Sequence, residues 1–286
     1  MTLFQILILS VVQGAAELLP VSSSAHVIVI AKMMGLDPTT PEMTLLLVML
    51  HTGTMFAVIF YFRKSWKASF FASRQQFMAG FKVIMLATIF TGVMGLSLKK
   101  IIEHFVLGDV PHAEIEMLFG NLGLISAALA TVGLLIIFAG LNKKLTVGIR
   151  EIGARESILI GIIQGLCLPF RGFSRSGATI SAGLLLGIAR TKAEEFSFAL
   201  AVVLTPPVVV REVLRLLKSQ SLTQQPEMHL MSLFLPSVVG MGFSFLAGLL
   251  ALRWLSSWLE HGRWQYFGYY CLCASAFVFI FRWIGS

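Results

Sequence analysis

Six runs of this chain stay apolar for the thickness of a lipid bilayer: Met43 to Phe62, Met78 to Leu98, Leu118 to Leu141, Phe196 to Leu217, Met231 to Leu252 and Tyr266 to Ile284. About 20 consecutive apolar residues make a helix long enough to cross the hydrocarbon layer, so each run predicts one transmembrane helix. Four further apolar runs are shorter. Phe4 to Leu19 and Val27 to Leu36 are joined by a proline and three serines, and Ile158 to Leu168 and Ile180 to Ile188 flank PFRGFSRSGAT. Lipid offers no hydrogen bonds, so irregular backbone at membrane depth needs protein or a water-filled cavity around it. The four short runs therefore predict two re-entrant helical hairpins. The fold class expected is an all-α polytopic membrane protein with six transmembrane helices and these two hairpins.

The hairpin sequences resemble each other. VVQGAAELLPVSSSAHVIVIAKMMG can be laid over IIQGLCLPFRGFSRSGATISAGLLLG with a one-residue insertion, matching Gln13 to Gln164, Gly14 to Gly165 and Gly35 to Gly187. This predicts a duplicated unit, about 1–142 and about 152–286, inside a single integral membrane domain spanning 1–286. Each unit holds one hairpin and three spans. Because three is odd, the second unit enters the membrane upside down, and the result is an inverted repeat with the hairpin tips near the midplane.

Composition agrees with the pattern: 57% of residues are hydrophobic, 13% are charged and the mean hydropathy is +0.85, which leaves no room for a separate soluble domain. Met1 is expected to begin the mature protein, since no basic segment and cleavage site precede the first apolar run. The net charge of +8 does not point to nucleic acid, because the basic residues sit in short loops beside the spans. Arg63, Lys64, Lys67, Arg74, Lys82, Lys143, Lys144, Arg150 and Arg155 gather on one side, with fewer on the other. By the positive-inside rule that side is cytoplasmic, and both termini lie outside. Cys167, Cys271 and Cys273 show no metal-like clustering with histidine and are assigned to packing.

The chemistry lies in the hairpins. An ionisable group near the bilayer centre costs about 2.5–3.5 kcal/mol on insertion scales, so Glu17, His26, Arg171 and Arg175 need a reason to be there. Gln13 and Glu17 are four apart on one helix face, and Ser23 and His26, three apart, share another if the second short helix starts near Ser22. Ser174, Ser176 and Thr179 add hydroxyls beside Arg175 at a second helix start, where unpaired N–H groups suit an anion. A guanidinium fork matches two phosphate oxygens better than a lysine does. Together the tips predict a phosphate cradle with a nucleophile and a base. Glu17 with Arg175 as a buried structural pair is the plainer alternative, and His51 in the first span is assigned to packing.

ELLPVSSSAH and GFSRSGATIS, in this order, resemble the two motifs of the undecaprenyl-diphosphate phosphatase family, the bacitracin-resistance type of integral membrane phosphatase. The resemblance extends to HTGTMFAVIFYFRK and EEFSFALAV, and so over nearly the whole chain. It implies hydrolysis of a polyprenyl diphosphate to the monophosphate and inorganic phosphate in the bacterial inner membrane, recycling the lipid carrier of peptidoglycan synthesis. Carried over by position, it implies Ser23 as nucleophile, His26 as its base and Glu17 orienting the imidazole, with His26 itself as nucleophile left open. Arg175 stabilises the transition state, and Ser22, Ser174, Ser176 and Thr179 bind substrate. A divalent cation, Mg2+ or Ca2+, is implied at Glu17 and Gln13. Here Gln13 stands where many members have glutamate, and Arg171 stands where proline is usual; it either grips the diphosphate directly or, the preferred reading, points to the cytoplasmic interface. The partners implied are a polyprenyl diphosphate and membrane lipid, with a homodimer left open. A transporter or flippase for a phosphorylated lipid is the rival reading, because broken helices in an inverted repeat are also transporter architecture.

Overall fold

A computed structural model describes residues 1–37, 40–105, 118–142, 151–223 and 228–284. His112, Lys143, Lys144 and Arg150 lie outside the described residues. Among the described residues all regular structure is helical. The order is α1 (Leu3–Leu18), α2 (Ser23–Met33), α3 (Pro41–Ser69), α4 (Arg74–Phe105), α5 (Leu122–Leu141), α6 (Ala154–Cys167), α7 (Arg175–Leu185), α8 (Arg190–Thr223), α9 (Met228–Glu260) and α10 (Gln265–Ile284). Six of these, α3, α4, α5, α8, α9 and α10, are long and apolar enough to cross a membrane, which makes this a multi-pass membrane protein. The six sequence runs each fall on one of them. Helix α1, with 16 residues, reaches about 24 Å at 1.5 Å per residue, short of a hydrocarbon core about 30 Å thick, and α2, α6 and α7 are shorter still.

Local chemistry sets the ends of these helices. Thr2 and Gln5 form a reciprocal capping box at the start of α1. The Asn121 side chain accepts from the N–H groups of Gly123 and Leu124 at the start of α5, and the Ser174 hydroxyl accepts from Gly177 at the start of α7. Ser22 caps α2 differently. Its φ of 68° is in the left-handed region that a residue with a Cβ rarely enters.

Small residues let the helices meet closely. Helix α1 lies on α9, where a Cβ at Gly14 would sit 2.5 Å from the Ser244 carbonyl oxygen, and α6 lies on α4, where a Cβ at Gly165 would sit 2.8 Å from that of Thr91. Helices α5 and α10 run antiparallel, joined by two reciprocal bonds: the Ser126 hydroxyl donates to the Ser275 carbonyl at 3.0 Å, and the Ser275 hydroxyl donates to the Ser126 carbonyl at 2.8 Å.

Helix α5 is a ruler for the two hairpins. In the second, Gly172 rests on the backbone of Ile125, Gly177 on the Ile136 side chain, and Ser181 accepts from Trp264 at 3.0 Å just before α10 begins. The first runs the other way, from Lys32, whose ammonium donates to the Gly120 carbonyl, to Pro20, whose carbonyl accepts from the Cys271 thiol. The tips pass each other, with the Ser176 hydroxyl donating to the Leu19 carbonyl at 3.4 Å. This corrects the place expected for Arg171. Its guanidinium stacks 4.5 Å over the Phe119 ring, just before α5 starts and opposite the end at which its own hairpin begins and finishes. The second hairpin carries its tip past the middle of α5, so Arg171 is held by an aromatic face at the end of α5 opposite the ends of α6 and α7 that lie away from the tip.

Candidate active site

The last turn of α1 brings Glu17 to the gap between the hairpin tips, and four groups converge on it. The Ser23 hydroxyl donates to Oε2 at 2.5 Å, and the Gln13 amide, one turn earlier on α1, donates to the same oxygen at 3.2 Å. Arg175 donates through one terminal nitrogen to Oε1 at 2.9 Å. The Nε2 of His51, from α3, stands 3.6 Å from Oε2. Glu17 is largely buried, with 15% of its side chain exposed against 22% for Arg175 and 35% for His51, so the cleft opens on the basic side of the carboxylate.

The left-handed turn at Ser22 shapes this arrangement. It ends the α1–α2 connection abruptly and starts α2 with Ser23 facing back toward Glu17. Backbone held in such a region persists only when its surroundings fix it, and it recurs at functional sites. The Ser22 hydroxyl pairs with that of Ser24 at 3.3 Å. Its carbonyl accepts a hydrogen bond from the Nδ1 of His26 at 2.8 Å.

That last bond corrects the expected pairing of Ser23 with His26. With its Nδ1 tied to the carbonyl four residues back, the imidazole turns toward α10, where its Nε2 meets the Tyr270 hydroxyl at 2.7 Å and the two rings stack 5.6 Å apart. In the neutral ring Nδ1 donates to Ser22 and Nε2 accepts from Tyr270, so both nitrogens are engaged away from Ser23. The group beside the serine hydroxyl is the Glu17 carboxylate.

In the second hairpin, Ser174 and Ser176 share a hydrogen bond of 3.3 Å at the start of α7, next to Arg175. Thr179 is elsewhere. Its hydroxyl donates to the Arg175 carbonyl at 2.8 Å and pairs with Ser197 of α8 at 2.6 Å, so it fastens α7 to α8. Two residues at this site were not assigned to it from sequence. The signal for His51 was its position as an ionisable ring inside a span; its Nδ1 donates to the Leu47 carbonyl at 2.7 Å, which leaves Nε2 to face Glu17. Tyr270 had none, since an aromatic in a span reads as lipid-facing.

Among the described residues, no three or more of His, Cys, Asp and Glu are grouped so as to hold a metal ion. Glu17 is the carboxylate of the cleft, and Arg175, Ser23 and Gln13 already engage both its oxygens. This donor set fits a hard cation only if the cation takes its remaining oxygen ligands from a bound phosphate and water.

Such a cleft, with a hydroxyl and a guanidinium bonded to opposite oxygens of one carboxylate, can bind a phosphate and attack it. A sequence model of bacitracin resistance protein BacA matches residues 6–277. The chain is 59% identical over 280 residues to undecaprenyl-diphosphatase 2 of Acinetobacter baylyi, covering 97% of both chains. It is 31% identical over 300 residues to undecaprenyl-diphosphatase of an Anaeromyxobacter species, covering all of this chain and 90% of that one. It is also 31% identical over 294 residues to undecaprenyl-diphosphatase 2 of Burkholderia ambifaria, covering 97% and 96% respectively. Motif order, site geometry and full-length likeness agree, and the chain belongs to the bacitracin resistance protein BacA family.

Proposed function

We propose that this chain is an undecaprenyl-diphosphate phosphatase of the bacterial inner membrane. It hydrolyses the terminal phosphate of the lipid diphosphate, returns the monophosphate to peptidoglycan synthesis and so gives resistance to bacitracin. The observation that carries the reading is the Ser23 hydroxyl donating to Glu17 with Arg175 on the other carboxylate oxygen. A site that only bound and released a phosphorylated lipid would need the arginine but no hydroxyl poised on a base. The names of the three relatives support the substrate.

In this reading Ser23 Oγ attacks the terminal phosphorus and its proton passes to Glu17. The bond from that phosphorus to the bridging oxygen breaks, and the polyprenyl monophosphate leaves. Glu17 passes that proton to the departing monophosphate oxygen; it then takes a proton from water as the water attacks the phosphoserine, and returns it to Ser23 Oγ as inorganic phosphate leaves. Arg175 meets the charge spread over the equatorial oxygens during transfer, where positioning and electrostatics supply most of the rate. Ser22, Ser174 and Ser176 line the approach. The test is phosphate release from purified protein in detergent supplied with undecaprenyl diphosphate; binding without phosphate release would favour the lipid carrier instead.

We infer that a divalent cation, Mg2+ or Ca2+, joins the site together with the diphosphate, with Glu17 and the Gln13 amide as its protein ligands. When bound it would offset charge that one arginine cannot balance. Activity should then fall to background after exhaustive chelation and return with added cation; full turnover in chelator would remove the cation from the mechanism.

The inverted repeat and the re-entrant nature of the hairpins belong to the same proposal. Support comes from matched positions. Gly14 and Gly165, aligned in the two halves, each seat their helix on the second span of the other half, α9 and α4 respectively. The hairpins run in opposite directions along α5, which suits units inserted upside down with respect to each other. With the basic loops cytoplasmic, both termini and the opening of the cleft face the periplasm.

A further inference from the structure

Helix α1 presents two adjoining stripes. Gln13 and Glu17 face the cleft. Val12 and Ala16, each one residue before them and so about 100° round the helix, face with Ala15 and the capping Leu19 a separate cavity of about 420 Å3 whose opposite wall includes Trp258 of α9 and Tyr266 of α10. A second cavity, of about 350 Å3, lies between Val29 and Met33 of α2 and Ala274 and Phe277 of α10. His26, Ile30 and Tyr270 line both, and the hydrogen-bonded His26–Tyr270 pair is the polar part of the partition. The aromatic rim is half open, with Trp254, Tyr266 and Tyr270 exposed by 48%, 51% and 48%, so the grooves face sideways, toward lipid, rather than into the helix bundle.

We propose that these two cavities form the seat of the isoprenoid chain of the substrate, entered sideways between the first hairpin and α9–α10, with His26 and Tyr270 at its waist. The proposal rests on the phosphatase reading and says where that substrate lies. A polyprenyl diphosphate is a charged head on an apolar chain, and the chain must leave the head group over apolar surface that adjoins the cleft. Helices α1 and α2 supply both surfaces within one turn: Glu17 stands beside Ala16, and Ser23 is three residues from His26. Lined almost wholly by aliphatic and aromatic side chains, each cavity has the size and character of a lipophilic ligand site, and the histidine–tyrosine pair is its one polar handle. It also gives His26 a place in recognition that does not require contact with Ser23.

The test uses full-length protein in detergent and a polyprenyl methylenediphosphonate, which cannot be hydrolysed, carrying a diazirine on its second isoprene unit. Photolysis should label peptides from α9 and α10 around Trp258 to Phe277, and undecaprenyl diphosphate should compete the label away. In parallel, Ala15→Trp fills the larger cavity. It should raise KM for undecaprenyl diphosphate roughly tenfold more than KM for geranyl diphosphate, whose chain extends less far into the groove. Label confined to other helices, or equal KM changes for both substrates, would overturn the groove while leaving the phosphatase reading intact. Wild-type protein that hydrolyses neither diphosphate would remove that reading and the groove with it. Should Ala15→Trp fail to fold, the label on the wild-type chain decides.

Discussion

Glu17 accepts hydrogen bonds from Ser23, Gln13 and Arg175 at once, so its substitution is felt through each of them. Glu17→Gln keeps the shape and removes the proposed base. If Ser23 and Glu17 act as one unit, Ser23→Ala and Glu17→Gln should each lower kcat by about 10²–10⁴, and the double variant should fall little further. His26→Ala, which acts elsewhere in the site, should instead multiply with Ser23→Ala. Phosphate release from the single and double variants checks both statements, and a double Ser23→Ala/Glu17→Gln enzyme far below either single one would separate the two residues. Glu17, Ser23 and Arg175 were legible in the sequence because reactive groups amid hydrocarbon are expensive without a task. The expected contact between Ser23 and His26 is missing for a local reason. Helical spacing puts residues three apart on one face, but Ser23 is the first residue after a left-handed turn, and His26 is drawn to the carbonyl of the capping serine. A φ of 68° at a serine leaves no trace in residue type.

At the level of helices, the close approaches at Gly14 and Gly165 predict a matched pair of defects. Gly14→Ala and Gly165→Ala each drive a methyl group into the carbonyl of a facing helix, and overpacking of this kind costs about 1–3 kcal/mol. Gly92→Ala on α4 is the control. No atom lies within 4 Å of its added Cβ, so the change should be neutral or gain up to about 1 kcal/mol in helix propensity. Thermal unfolding in one detergent, measured on all three variants, checks the ranking. The sequence predicted the number and order of the spans but not their ends. The run from Met78 to Leu98, for example, belongs to a helix that begins at Arg74 and continues to Phe105. Hydropathy marks the part that sits in hydrocarbon, whereas the backbone ladder continues through charged residues such as Lys99 and Glu103, whose side chains pair at 3.5 Å, until a cap or a turn ends it. Which helices touch was not legible, because lipid-facing and helix-facing positions in a span are equally apolar.

For the molecule as a whole, the proposed orientation puts Thr2 outside the cytoplasm and Lys64 inside it. In intact spheroplasts, a membrane-impermeant maleimide should therefore label Thr2→Cys and reach Lys64→Cys only after the membrane is opened; the reverse pattern would turn the protein over. The reciprocal bonds between Ser126 and Ser275 extend the idea further. Each serine gives a proton to the carbonyl of the other, so exchanging the two helices leaves the contact unchanged, as in an interface between identical subunits. Such an interface is complete without a covalent link between its partners. A gene cut within the segment between Asn142 and Glu151 should then yield two polypeptides that find each other in the membrane, co-purify through a tag on either one and together restore phosphate release. Neither half should do so alone, because Glu17 and Ser23 belong to one and Arg175 to the other: the site is owned jointly by the two halves of the chain.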